Sequence, residues 1–205
     1  MSTAVKVDVW SDIACPWCFI GKRKFEAGAV EFGGEVEVRH HSFELSPDTS
    51  VDFDGSEQDY LVTRGFPADQ ITVLGYQLIH YAKAHGRQLE LKERLLAAYF
   101  EEGKHVGRVE DLADLAAELG FDRDDVVRSL NSNEYLADVK ADQALAIEYG
   151  IQGVPFFVID DRCGVSGAQE IRGDADAASC EGEFCELPAH REQAVINRRI
   201  DADLI

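Results

Sequence analysis

Basic residues are scarce in this chain: 20 Lys and Arg stand against 39 Asp and Glu, leaving a formal net charge of −19. A surface of that sign repels phosphate backbones and anionic headgroups, so nucleic acid and anionic membrane are excluded as partners. The acidic residues are spread along the chain rather than gathered in a tail, which makes them a solvated face. The cytoplasm of a halophile, where salt screens self-repulsion, explains such density; the ordinary reading is a soluble acidic protein. Long apolar runs are missing too, and none could span a bilayer. Residues 1–6 carry neither an apolar run nor a small-residue cleavage site, so no secretory leader is visible and a cytoplasmic location is expected. Internal repeats, low-complexity tracts and a nucleotide-type glycine motif are also lacking. No cofactor and no metal is expected.

What is present suits a well-buried core. The 205 residues are 45% hydrophobic, enough for one domain or one domain carrying an insertion. Cysteines number five. In a cytoplasm thiols are kept reduced, which favours a catalytic or sensing pair over a structural bridge. Two of them stand in Cys15-Pro16-Trp17-Cys18, after an apolar run at 5–10 that reads as a strand and at the start of a helical pattern through Phe19, Lys22, Phe25 and Ala29. At a helix start the unpaired N–H groups and the positive end of the dipole stabilise an anion, which makes Cys15 the expected thiolate. Pro16 fits the first helical position. The i to i+3 spacing lets Cys18 reach Cys15, so the pair can cycle between dithiol and disulfide. Half of a zinc site, or two buried thiols, are the alternatives; a strand–CxxC–helix order favours redox.

Along the chain, the active helix is expected over 16–32 and closes at Gly33-Gly34. A half-buried strand follows from Val36 to Phe43, with Val36 and Val38 alternating with charged residues. Residues 48–56 form a polar linker. From 57 to 150 the pattern is helical, with stripes at Ile71, Leu74, Leu78 and Ala82, at Leu91, Leu95 and Tyr99, and at Leu112, Leu115 and Leu119. Gly86, Gly103, Gly120 and Gly150 each fall just past a predicted helix. A strand is then expected over 154–159 and a short one over 163–166. The domain organisation is thus 1–56, a helical insertion at 57–150, and 151–205.

Gly153-Val154-Pro155 precedes that later strand. Proline cannot donate to a sheet ladder, so it belongs at a strand's edge or first residue, and an X–Pro bond adopts cis at low cost. A cis bond facing the cysteines would turn the Val154 backbone outward, free to pair with an extended peptide.

Taken together, Cys15-Pro16-Trp17-Cys18, the helical insertion, Gly153-Val154-Pro155-Phe156-Phe157-Val158 and Gly164-Val165-Ser166-Gly167-Ala168-Gln169 resemble the DsbA family of thiol–disulfide oxidoreductases. More narrowly, the chain resembles the FrnE-like subgroup; Phe43-Glu44-Leu45-Ser46-Pro47 and Tyr99-Phe100-Glu101-Glu102-Gly103 are further matching stretches. It implies an α/β thioredoxin fold with a large inserted all-helical domain, Cys15 as nucleophile, Cys18 as resolving thiol and Pro155 as the cis-proline. Pro16, Trp17 and Val154 would form the substrate surface. The substrate would be a protein or small-molecule thiol or disulfide, served by a redox partner the sequence does not name. Two departures stand out. Pro-Trp replaces the Pro-His of strongly oxidising members, and residues 170–186 lack the apolar stripe of the family's covering helix.

Cys180 and Cys185 lie in that departing tail. Some FrnE-like proteins carry a second pair of similar spacing there, so these two are a candidate secondary redox pair; exposed inert thiols, or a Cys₄ zinc site with Cys15 and Cys18, are the other readings. Cys163 reads as a small buried apolar residue. Trp10, Trp17 and Phe19 offer an apolar rim, although an aromatic beside a strand is more often core. His40 and His41 read as core or surface rather than catalytic. Asp12 could relay protons to Cys18, the commoner role being a loop-capping carboxylate. An isomerase or glutathione-transferase branch of the same fold, such as 2-hydroxychromene-2-carboxylate isomerase or the kappa class, typically has serine where Cys15 stands. A zinc-binding or chaperone-like module is the non-enzymatic alternative.

Overall fold

A computed structural model describes residues 4–45 and 71–169, together with a short strand at 185–186. In chain order these are β1 (Val5–Ser11), α1 (Pro16–Phe32), β2 (Val36–Ser42), α2 (Ile71–Ala84), α3 (Gln88–Phe100), α4 (Val109–Glu118), α5 (Arg123–Ser132), α6 (Leu136–Glu148), β3 (Phe156–Ile159), β4 (Cys163–Ser166) and β5 (Cys185–Glu186). The strands form one mixed sheet in the order β2-β1-β3-β4-β5. β1 and β2 run parallel, joined through α1, while β3, β4 and β5 add antiparallel. Among the described residues five helices stand between β2 and β3, as the change of hydrophobic period from two to 3.6 requires.

Strand alternation sorts the side chains onto two faces. Val7, Val9, Phe157 and Val165 line one face and pack under Phe25 of α1. Trp10 and Val158 line the other, against Ala146 of α6 and Ile151. A third core lies within the helices, where Leu78, Leu91, Leu95, Leu112 and Leu130 meet, and Ile13 from the loop after β1 enters it. The helical stripes thus face one another as their spacing predicts. Gly86, Gly103, Gly120 and Gly150 all have positive φ.

Some expectations are corrected. The strand expected over 154–159 starts at Phe156, because Pro155 has no N–H for the ladder. Phe43 lies beyond β2, and β1 extends one residue past Trp10 to Ser11. Trp10 is completely buried, the commoner place for an aromatic beside a strand.

The helices are fastened to the sheet by polar groups. β2 is an edge strand, and the amide of Gln88 accepts from the N–H of His40 at 3.2 Å and donates to its carbonyl at 2.9 Å, doing what a neighbouring strand would do. Asp142 of α6 accepts from the Ser42 N–H at 2.7 Å and lies 2.7 Å from His41 Nδ1 and 2.9 Å from His80 Nε2. The indole N–H of Trp10 donates to the Asp142 carbonyl at 3.2 Å. Arg23 of α1 grips Glu93 of α3 through two bonds of 2.7 and 2.5 Å. Among the described residues no helix is long and apolar enough to cross a membrane.

Candidate active site

Cys15 is the N-cap of α1, extended at φ −85° and ψ 116°, and Pro16 opens the helix. The Cys15 carbonyl accepts from the N–H groups of Cys18 at 3.0 Å and Phe19 at 3.2 Å, so the first turn winds directly on the cysteine pair. Both cysteines are free thiols. Cys15 is only 6% exposed and Cys18 2%. The first thiol therefore reaches solvent through a narrow opening, less openly than a helix start alone suggests.

The two thiols titrate apart. Cys15 is lowered to about 7, first because the Cys18 thiol donates to its sulfur, then through the backbone N–H groups of Cys18 and Trp17; burial and the charge of Asp12 oppose the shift. The helix start contributes as expected, but the neighbouring thiol contributes more. Cys18 is raised well above the ordinary thiol value, by burial first and then by holding its proton for Cys15.

Across the opening lies the other half of the site. The Val154–Pro155 bond is cis, and Cys15 Sγ is 4.0 Å from the Val154 carbonyl oxygen. Pro155 packs against α1 at Gly21, where an added Cβ would come within 2.7 Å of the proline ring. The Pro155 carbonyl accepts from the Gly167 N–H at 2.8 Å, which anchors the loop to the chain after β4. Trp17 is 55% exposed beside the pair, and Pro16 is exposed with it. Phe19 is half-buried, stacked on Phe100 under the Arg23 guanidinium. The structure thus brings Cys15, Cys18, Pro16, Trp17, Val154 and Pro155 to one place.

Asp12 sits beneath the pair. Its carboxylate accepts from the N–H groups of Ala14 at 2.9 Å and Leu45 at 3.0 Å, the loop-capping role, while its own N–H donates to Cys18 Sγ at 3.3 Å. Burial raises Asp12 to about 6 against those two bonds, the Lys92 charge and the Tyr76 hydroxyl. Sequence reasoning passed over Lys92, a lysine 2% exposed on α3. Its signal was available: it stands four residues before Leu96 on the buried face of its helix. It missed Gly21 as well, an isolated glycine inside a helical pattern, which signals a close packing contact.

The candidate pair Cys180 and Cys185 lies outside the residues whose side chains are described. Only the backbone of Cys185 enters, paired with Gly164 in β5. Cys163 is buried but is disulfide-bonded, which corrects its reading as a simple apolar residue. Among the described residues no cluster of three or more His, Cys, Asp or Glu could hold a metal ion.

A lowered thiol beside a raised one, with a peptide carbonyl facing the first, can attack a disulfide sulfur and then close on itself. The chain is similar in sequence and fold to known proteins. The chain is 33% identical to a probable DsbA oxidoreductase from Streptomyces coelicolor, with a TM-score of 0.68 and coverage of 82% of this chain and 85% of that one. The oxidised BdbD of Bacillus subtilis shares the fold at 16% identity, TM-score 0.61, over 82% of this chain and 81% of its own. The uncharacterized protein YwbO of Bacillus subtilis (strain 168) is 32% identical over 179 residues, 77% of this chain and 88% of that protein. With residues 6–177 matching its model, the chain belongs to the DSBA-like thioredoxin domain family.

Proposed function

We propose that this protein is a dithiol–disulfide oxidoreductase of the FrnE-like kind, exchanging disulfides with protein or small-molecule thiols through Cys15 and Cys18. The observation that carries the reading is the pair's asymmetry. Cys15, lowered to about 7, is substantially thiolate at neutral pH, while Cys18 keeps its proton. The Cys15 thiolate attacks one sulfur of a substrate disulfide; that S–S bond breaks and the second substrate sulfur leaves as a thiolate. Cys18 then attacks Cys15, closing the protein disulfide and releasing the first substrate sulfur. The reverse sequence oxidises a substrate dithiol.

The Val154 carbonyl, 4.0 Å from Cys15 Sγ, offers an extended peptide its first hydrogen bond. Pro16 and Trp17 supply an apolar shoulder for it. Two thiols in the motif argue against the isomerase and transferase branches. Cytoplasmic residence and a halophilic host belong to the same proposal.

The test is turnover of a disulfide peptide by the wild type, C15S and C18S. C15S should be inactive, and C18S should accumulate a mixed disulfide on Cys15. Full turnover by C15S, or stoichiometric zinc without thiol turnover, overturns the reading. The reduction potential of the pair against glutathione then sets the direction, about 30 mV corresponding to about 1.4 kcal/mol.

A further inference from the structure

Closing the protein disulfide requires Cys18 to lose a proton, and among the described residues no carboxylate or imidazole is hydrogen-bonded to its sulfur. Its sulfur receives the Asp12 N–H and is 2% exposed. Both oxygens of the Asp12 carboxylate are already committed to the backbone N–H groups of Ala14 and Leu45.

Behind Cys18 a cleft of about 440 Å³ opens between α1, α3 and β2, and Ser11, Lys22, His40 and Lys92 line it together with Cys18. Two of these carry buried polar atoms without a hydrogen-bond partner, Ser11 Oγ and His40 Nδ1, in residues 3% and 5% exposed. Unpartnered polar atoms in a space this size are where water is held. Lys22 is tied to Glu26 and Glu93. Lys92 has no carboxylate in ion-pair reach among the described residues; it lies over the Tyr76 ring, 5.9 Å from its centroid. A buried ammonium whose opposing charge, Asp12, acts only from beyond ion-pair distance is a costly arrangement, and a sulfur that becomes anionic on the same cleft would offset that cost.

We infer that Lys92, supplied by a helix between β2 and β3, is a positioning residue of the resolving step: its ammonium faces the thiolate that Cys18 becomes, and the cleft carries the proton out. This rests on the proposed role of Cys18. With Cys15 bound to a substrate sulfur, the Cys18 proton passes to water in the cleft and the freed electron pair forms the Cys18–Cys15 bond. The Cys15–substrate bond breaks, its electron pair leaves on the substrate sulfur, and that thiolate takes a proton from solvent. The charged and titratable groups lining this space beside Cys18 and Lys92 are Lys22 and Glu26 on α1, His40 on β2 and Glu93 on α3, and the charges of Asp12 and Cys15 act on Cys18 and Lys92 from outside it. Lys92 itself is lowered to about 8, by burial first, with Cys18 and Asp12 pulling the other way.

An aromatic disulfide that releases a coloured thiol reads the two steps separately: a first phase from Cys15 attack and a second from Cys18 resolution. In K92M the first phase should stay within about twofold, while the second slows at least about tenfold near neutral pH and its midpoint moves to higher pH. Equal slowing of both phases, or an unchanged second phase, overturns the role of Lys92. A wild type with no second phase would instead overturn the role of Cys18. Should K92M not fold, the wild type decides: above about pH 8, where Lys92 discharges, the second phase should rise less than about tenfold per pH unit. A full tenfold rise per unit across that range overturns the inference.

Discussion

Cys15 Sγ lies 4.0 Å from the carbonyl oxygen of Val154, a residue 139 positions further along the chain. The contact depends on how closely α1 approaches the loop before β3, and Gly21 sets that distance. A Cβ there would fall 2.7 Å from Pro155 Cγ, 3.4 Å from its Cβ and 3.5 Å from Ala168 Cα. The proline ring is stiff, so the helix or the loop would have to move.

Gly21→Ala should therefore destabilise the protein despite alanine's better helix propensity. Overpacking of this kind costs about 1–3 kcal/mol, against about 1 kcal/mol gained from propensity. The melting temperature should fall and disulfide exchange should slow, because Val154 is displaced from Cys15. A melting temperature equal to or above the wild type's would show that the contact is not tight.

Cys18→Ala and Cys18→Ser should separate in the titration of Cys15. The largest cause of the lowered value of about 7 is the proton that Cys18 donates, and the backbone N–H groups come after it. Alanine removes the donor, so the alkylation midpoint of Cys15 should rise by about one unit or more. Serine keeps a hydroxyl in reach, and its midpoint should stay nearer the wild type's. Identical midpoints in the two variants would assign the shift to the helix start alone.

The fold was legible wherever one local pattern decided it. Val36 and Val38 alternate with charged residues and mark β2; Pro16 marks the start of α1; Gly86 and Gly120 mark helix ends that the structure places at positive φ. The cysteine pair and the Val154–Pro155 turn were legible for the same reason. What could not be read were contacts between distant residues of ordinary type. Nothing near Gly21 announces Pro155, nothing near Lys92 announces Cys18, and His41 gives no sign of sitting between carboxylates from positions 8 and 142. The disulfide of Cys163 was hidden by the reduced state expected of cytoplasmic thiols.

Molar salt should raise the melting temperature. The net charge of −19 leaves self-repulsion that added ions screen. Local pairs work the other way: Glu93, lowered to about 2 chiefly by its bonds to Arg23, is partly exposed, so the pair contributes about 1 kcal/mol at most and loses part of it to screening. The global term should prevail. A melting temperature indifferent to salt would rule out a protein adapted to a halophile's cytoplasm.

The join between α6 and the sheet should weaken in alkali through His41. Its Nδ1 lies 2.7 Å from Asp142 and its Nε2 2.7 Å from Asp8, and Trp10 stacks on the ring with centroids 4.3 Å apart. A ring that meets a carboxylate at each nitrogen donates from both, so it is an imidazolium. Burial opposes that charge, but the carboxylates outweigh it and His41 is raised above the ordinary histidine value. The folded state thus holds this proton more tightly than the unfolded chain does. The resulting stabilisation is complete below about pH 6.5, the unfolded value, and is lost as pH rises through the raised folded value. Asp142 runs in the opposite sense: burial raises it, the bonds from His41, His80 and Ser42 lower it further, and its contribution is lost only in strong acid. His41→Asn removes the charge and leaves Asp8 and Asp142 facing an uncharged amide, a loss of about 3–5 kcal/mol near pH 6 by analogy with other broken buried pairs. Urea midpoints measured from about pH 6 to about pH 9 should therefore converge, the wild type falling toward the variant as His41 discharges. Other titrating groups, Cys15 among them, are common to both proteins and cancel in the difference. Parallel curves would mean that His41 is neutral in the folded protein and that the join is held by hydrogen bonds alone.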